Sequence, residues 1–234
     1  GILAETLKEE IPEIEYAATT AWISPYTLSI KEHNVKADGY HVGPDYFMIF
    51  SYPLLEGNPE LVLKDKTSIV ISSELATKLF REEKNVIGKT VELQHNKSYQ
   101  VTGVFEKVRS SSYQFDFVLS FEDFKDDNEW VLEWGNNGPA TFAVLREGSD
   151  AEAVSKKIKD FVKARNDESN VSLFLQPFSN RYLHSTYENG VLTGGRIEYV
   201  KLFSIIAVFI LVIACINFMK LSTSRASRKA KEVG

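Results

Sequence analysis

The chain holds one cysteine, Cys215, so no internal disulfide framework exists and packing alone must hold the fold together. Its four histidines, His33, His41, His95 and His184, lie far apart and match no metal-ligand spacing. No glycine-rich phosphate loop occurs, because "GVLTGG" lacks the lysine that such a loop uses. The acidic stretch "EDFKDDNE" lacks the central glycine and spacing of a calcium loop and reads as a solvated acidic loop. Trp22, Trp130 and Trp134 read as core or subdomain-interface residues. No nucleophile has a convincing base beside it. The sequence therefore predicts no catalytic, cofactor-binding or metal-binding residue.

Excess positive charge is also missing over most of the length. Residues 1–198 carry a net charge of −10, whereas Lys220, Arg225, Arg228, Lys229 and Lys231 crowd the end against a single acid, Glu232. An acidic body excludes the basic face that phosphate contacts need, so no nucleic acid is expected as a partner. Hydrophobic residues make up 44% and charged residues 25%, which is the composition of a folded body rather than a disordered one.

What is present is one greasy run. From Leu202 to Met219 there are 18 consecutive residues without a formal charge, free of proline and glycine. Crossing a bilayer as a helix takes about 20 such residues. A buried core helix of this length usually keeps a polar face, and here only Ser204 and Asn217 are offered for one. The run lies at the wrong end of the chain for a cleavable signal peptide. Lysine and arginine gather on the cytoplasmic side of a span. Residues 1–198 are therefore expected outside, with Tyr199 and Phe203 at the outer interface and 222–234 in the cytoplasm. Lys220 snorkels to the headgroups, and Asn217 sits at the inner interface.

The outer body alternates helix and strand signals, an α+β pattern. Leu3, Leu7 and Ile11 mark a helix stopped by Pro12, and "EIEYAATTAW" reads as a strand. Residues 26–30 and 34–42 flank "KEHN" as a hairpin, and "PDYFMIF" is one apolar turn of helix. "TSIVIS" is a buried strand that leads into the helix "SSELATKLF", with Ser72 as its cap. "IGKTVEL" and "SYQVTGVFE" form a second hairpin around "QHNK". In "YQFDFVLSF" the alternation of Phe115, Phe117, Leu119 and Phe121 predicts a strand. "ATFAVLRE" is another. Ser149 and Glu152 make a capping box for a helix whose core stripe is Val154, Ile158, Phe161 and Val162. "NVSLFLQPF" reads as the last strand, completing a βαβ unit for which residues 1–22 supply a partner. "EWGNNGPA" and "NGVLTGG" read as flexible loops.

At "LVIACINFMKLSTSRASRKAKEVG" the sequence resembles MacB/FtsX-like ABC-transporter permeases. Their second transmembrane helix ends in an Asn-Phe-Met-x-Leu-Ser-Thr run that leads into a basic Arg-x-Lys-Glu-Val-Gly motif. Asn217, Phe218, Met219, Leu221, Ser222, Thr223, Lys231, Glu232, Val233 and Gly234 match it here, with Arg228 in the basic stretch. Upstream, "SIVISSELATKLFREEKNVIGKTVEL…YQVTGVFE" is similar to part of the family's periplasmic core.

The resemblance implies a two-lobed α+β periplasmic domain followed by one transmembrane helix. A mixed α/β porter-like lobe would take 1–40 and 110–180, and an inserted β-rich sabre-like lobe 41–109. A stalk or linker would take 181–201, a span 202–221 and a cytoplasmic segment 222–234. Leu202, Asn217, Phe218 and Lys220 would belong to stalk and span. Arg228, Lys231, Glu232, Val233 and Gly234 would form the cytoplasmic motif. Gly1 and Gly234 would then bound a fragment of a longer chain.

The resemblance further implies a non-catalytic permease in the bacterial inner membrane, in contact with lipid and working as a homodimer or paralogous heterodimer. An ABC ATPase subunit or domain would bind the ATP, so no cofactor falls to this chain. A periplasmic adaptor and an outer-membrane channel are further partners found in such systems. The alternative from another class is the periplasmic sensor domain of a bitopic receptor. That reading predicts a heptad linker after the span, and "STSRASRKAKEVG" has none. A membrane-tethered hydrolase would need a reactive constellation that the sequence lacks.

Overall fold

The computed structural model describes residues 1–81, 85–108, 113–188 and 191–233, with backbone alone at 224 and 226–233. Two compact units result, Gly1–Val171 and Ser172–Gly234.

Helix α1 (Leu3–Glu10) buries Ala4 and Leu7 and is followed by strand β1 (Ile14–Thr20). Strands β2 (Ser24–Ile30) and β3 (His33–Val42) form the expected hairpin, which turns through Lys31 at a φ of +54°. Helix α2 (Tyr46–Ile49), strand β4 (Leu54–Glu56), strand β5 (Ser68–Ser72) and helix α3 (Ser73–Phe80) follow. The Ser72 hydroxyl caps α3 by accepting from the Leu75 amide at 3.1 Å, as the sequence predicts. Strands β6 (Thr90–Leu93) and β7 (Lys97–Phe105) make the second hairpin, with Gln94 and His95 both at positive φ in its turn. Strand β8 (Phe117–Ser120), helix α4 (Phe121–Asp127), strand β9 (Ala140–Leu145) and helix α5 (Ala151–Ile158) complete the first unit.

Among the described residues, the strand pairings run β3–β2–β6–β7–β5–β8 and return to β3, so six strands close into a small mixed barrel. Closure removes the edges that an open sheet would expose. Leu28, Ile69, Ile71, Val91, Leu93, Tyr99, Val101, Phe117 and Leu119 share one core, to which α3 adds Leu75, Leu79 and Phe80. Between these residues along the same strands, Val70 and Val118 belong to a second core with Tyr40, Tyr46, Phe47, Phe105 and Phe115. Strands β5 and β8 are thus buried on both faces, which is why "SIVIS" and "FVLS" read as apolar runs rather than alternations. Gly39 makes room for this packing: a Cβ there would meet the Phe117 ring at 2.4–2.5 Å.

Outside the ring, β1 touches β3 at one register point, Thr20 to Val42, and pairs along its length with β9. The expected lobe limits at 40 and 110 do not follow this pairing. β2, β3 and β8 are staves of the barrel together with β5–β7, because closing the ring needs strands from both sides of the middle segment.

Five further expectations are corrected. The stretch "EDFKDDNE" is mostly helix α4 rather than a loop, because Phe121 and Phe124, three residues apart, stack on one face. Phe121 opens this helix instead of ending the strand. The cap of α5 is Asp150, whose carboxylate accepts from the Glu152 amide at 2.9 Å, while the Glu152 side chain pairs forward with Lys156. The helix stops at Ile158, and Phe161 and Val162 are buried from the turns that follow. "NVSLFLQPF" carries no strand ladder, so no βαβ unit forms. Pro177 offers no amide, and the Phe174 ring packs on Tyr187 at 4.9 Å.

In the second unit, strands β10 (Thr186–Glu188) and β11 (Val191–Gly194) pair, so part of "NGVLTGG" is ordered ladder rather than flexible loop. Asn189 and Gly190 lie outside the described residues. Helix α6 runs unbroken from Ile197 to Val233.

Candidate functional site

Helix α6 carries every candidate residue read from the sequence except Gly234, which lies outside the described residues. Its 37 residues rise about 55 Å. That exceeds the ~30 Å hydrocarbon layer of a bilayer. Ile197–Thr223 is long and apolar enough to cross a membrane, and none of its most apolar stretch is buried. Large side chains from Leu202 to Leu221 stand 43–71% exposed, Phe218 the most. A soluble helix turns such residues into a core, and this one turns them outward on all sides. Asn217 and Lys220 are three residues apart and share a face. Arg228, Lys231, Glu232 and Val233 continue the same helical backbone. The Thr223 hydroxyl donates back to the Met219 carbonyl at 2.8 Å, so the helix satisfies its own polar side chain.

The first unit contains an ionic cluster that sequence reading missed. Asp123, in the first turn of α4, is largely buried, its side chain 14% exposed. Its carboxylate accepts from the Tyr99 hydroxyl at 2.6 Å and from Lys97 at 3.1 Å, both on β7, and pairs with His41 of β3 at 3.3 Å. Lys97 also reaches Asp127 at 2.5 Å. Burial by itself would raise the Asp123 carboxyl, but the bonds from His41, Tyr99 and Lys97 outweigh it and hold the group at about 2. Burial works against the Lys97 charge too, and the carboxylates of Asp127 and Asp123 overcome it, raising the ammonium. Desolvation first, then the adjacent Asp123, pushes the Tyr99 hydroxyl up. Among the described residues His41 Nδ1 is the one buried polar atom of this set without a hydrogen-bond partner, and the remaining bonds clamp α4 to the barrel. The available signal was the spacing of Phe121 and Phe124, which marks a helix inside an acidic stretch.

Two further features bear on binding. Trp22 and Trp130 stack at 6.4 Å with rings 25° apart, and both are more exposed than a core residue would be. Trp134 instead packs on Phe161, with Arg165 over its face. A cleft of about 170 Å³ opens between α3 and β7, lined by Leu55, Glu56, Ser73, Thr77, Arg81 and Val86. This falls below the roughly 300 Å³ at which small-molecule pockets begin. Among the described residues no group of three or more metal-ligating side chains has the geometry to hold an ion.

Residues 2–161 match the family of the MacB-like periplasmic core domain. The chain belongs to that family. As a MacB-like core domain it shares its fold with a domain of a protein named as a permease from Porphyromonas gingivalis. That likeness has a TM-score of 0.63 at 24% identity and covers 75% of this chain and 82% of that one. The periplasmic region of MacB from Actinobacillus actinomycetemcomitans is similar at a TM-score of 0.51 and 16% identity, over 69% of this chain and 71% of that one. The extracellular domain of the noncanonic ABC-type transporter YknZ from Gram-positive bacteria gives 0.53 and 15%, over 74% and 87%. At such identities these likenesses establish fold alone. No curated protein matches. The MacB-like resemblance read from the upstream segment is borne out at the level of the family, and "NFMKLST" lies outside the matched residues. Among the described residues, one helix able to cross a membrane follows the MacB-like core domain in the chain.

Proposed function

We propose that this chain is the periplasmic core and one membrane-spanning helix of a MacB-type ABC-transporter permease, a non-catalytic subunit that couples cytoplasmic ATP hydrolysis to periplasmic movement. The observation that carries the reading is α6, one unbroken helix following a MacB-like domain, with its uncharged stretch exposed on every side. In this reading residues 1–198 lie in the periplasm of a bacterial inner membrane. Lys220 marks the inner headgroups, and 222–234 enters the cytoplasm. An ABC ATPase binds the ATP and two permease chains pair. The barrel takes the sabre-like role, and α1, β1, β9 and α5 the porter-like one. Displacement travels along α6, whose stretch from Ile197 to Lys231 has neither glycine nor proline to absorb it. The work is export or extraction of a substrate at the periplasmic side, with an adaptor and outer-membrane channel as further partners.

The test uses the full protein with its ATPase in native-like membranes. With Cys215→Ser as background, Asn96→Cys is labelled by an impermeant thiol reagent in spheroplasts and Ser227→Cys is not; the reverse pattern overturns the orientation. A two-glycine insertion after Lys201 leaves ATP hydrolysis intact and abolishes substrate movement. Unaltered substrate movement would sink the coupling role.

A further inference from the structure

The second unit binds its small hairpin region to the root of α6. The Ile197 amide donates to the Leu183 carbonyl at 3.0 Å, and the Glu198 amide to that of Gly195 at 3.2 Å. At Gly195 a Cβ would meet the Leu183 carbonyl oxygen at 2.4 Å and the Ser185 nitrogen at 2.8 Å, so only glycine permits the approach. Gln176 donates to the His184 carbonyl at 2.6 Å, and the Arg196 guanidinium lies over the Tyr182 ring, 4.7 Å from its centroid. Residues 183–188 and 191–197 are therefore held close to the helix root.

Depth follows from helix geometry. The uncharged run opens at Leu202, five residues past Ile197, which places the root about 7–8 Å beyond the edge of the hydrocarbon. The headgroup layer on each side of a bilayer is about 5–8 Å deep. Whatever is hydrogen-bonded to Ile197 thus stands at headgroup level when the run fills the hydrocarbon. The side chains exposed there suit that zone. Tyr182 and Tyr199 are 63% and 65% exposed, and Val191 and Leu192 on β11 are 64% and 43%. Arg196 adds positive charge for lipid phosphates, while Lys201 is paired with Glu198 at 3.1 Å. Amphipathic aromatic rings and cations beside short apolar side chains are what the interface of a bilayer retains.

We propose that the β10–β11 hairpin and the Tyr182–Arg196 pair form a membrane-interface anchor, with Val191 and Leu192 dipping into the glycerol zone and Arg196 on lipid phosphate. The anchor fixes the depth of α6 and moves with it. This rests on α6 being a span, and the experiment separates the two.

The full chain carrying Cys215→Ser and either Leu192→Cys or Val212→Cys is labelled with an environment-sensitive fluorophore. It is then reconstituted in phosphatidylethanolamine–phosphatidylglycerol vesicles that contain nitroxide lipid, shallow (acyl carbon 5) or deep (carbon 12). The label at 192 is expected to be quenched at least twofold more by the shallow nitroxide, and that at 212 more by the deep one. Quenching at 212 with none at 192 overturns the anchor and leaves the span standing, whether water or a protein partner covers the hairpin. No quenching at 212 overturns the span itself. Combining Tyr182→Ala with Arg196→Gln should at least halve the shallow quenching at 192; an unchanged value overturns the role given to that pair.

Discussion

The Tyr99 hydroxyl on β7 donates to Asp123 Oδ2 on α4 across 2.6 Å, a neutral donor on a buried charge. Hydrogen bonds to charged groups contribute about 1.5–3 kcal/mol. Tyr99→Phe removes the hydroxyl alone and should lower unfolding stability by about that amount in urea denaturation, with m unchanged. Combined with Asp123→Asn, the loss should be less than the sum of the two. Strict additivity would show that the two groups do not act together.

Acid should loosen the same clamp. Asp123 sits at about 2 in the folded protein, below the ordinary 3.8. A depressed carboxyl contributes stability that is complete above the unfolded value and lost as pH falls through the folded one. Stability should therefore drop between about pH 4 and pH 2, by on the order of 2 kcal/mol from this group. The Asp123→Asn protein should show a shallower acid limb. Lys97 is raised, so its contribution is lost only at strongly alkaline pH.

Gly39→Ala places a methyl group against the Phe117 ring, which is completely buried. Overpacking of this kind costs about 1–3 kcal/mol. Thermal melting should show a lowered midpoint, and Gly39→Ala with Phe117→Leu should recover part of it. Without such recovery, the cost of alanine lies in the backbone and not in the ring.

Ser72→Ala removes the cap of α3 and leaves the Leu75 amide without its acceptor in a buried place. A loss of about 0.5–2 kcal/mol is expected. Ser149→Ala should cost almost nothing, whereas Asp150→Ala should behave like Ser72→Ala. Equal effects at 149 and 150 would contradict the capping geometry.

The contrast between Ser72 and Ser149 shows where local reading succeeds. Ser72 lies between a β-patterned run and a helical stripe, so its position as cap is unambiguous. At "GSDAE" serine and aspartate compete one residue apart; the Ser149 amide closes a turn on the Arg146 carbonyl, and it is the Asp150 carboxylate that accepts from the Glu152 amide. The hairpins were legible because each sits between adjacent segments with turn residues, and "NVSLFLQPF" misled because alternation says nothing about whether a ladder partner is near. The Asp123 cluster was out of reach, since its donors lie 24, 26 and 82 positions away.

Sequence by itself settled the long uncharged run and the cationic end that follows it, because these depend on neighbours along one chain segment. Only the tertiary structure decided that six strands close into a barrel, that an acidic stretch becomes a clamp, and that a glycine-rich loop grips the root of α6. Each of these depends on which distant groups meet, and composition does not encode a meeting.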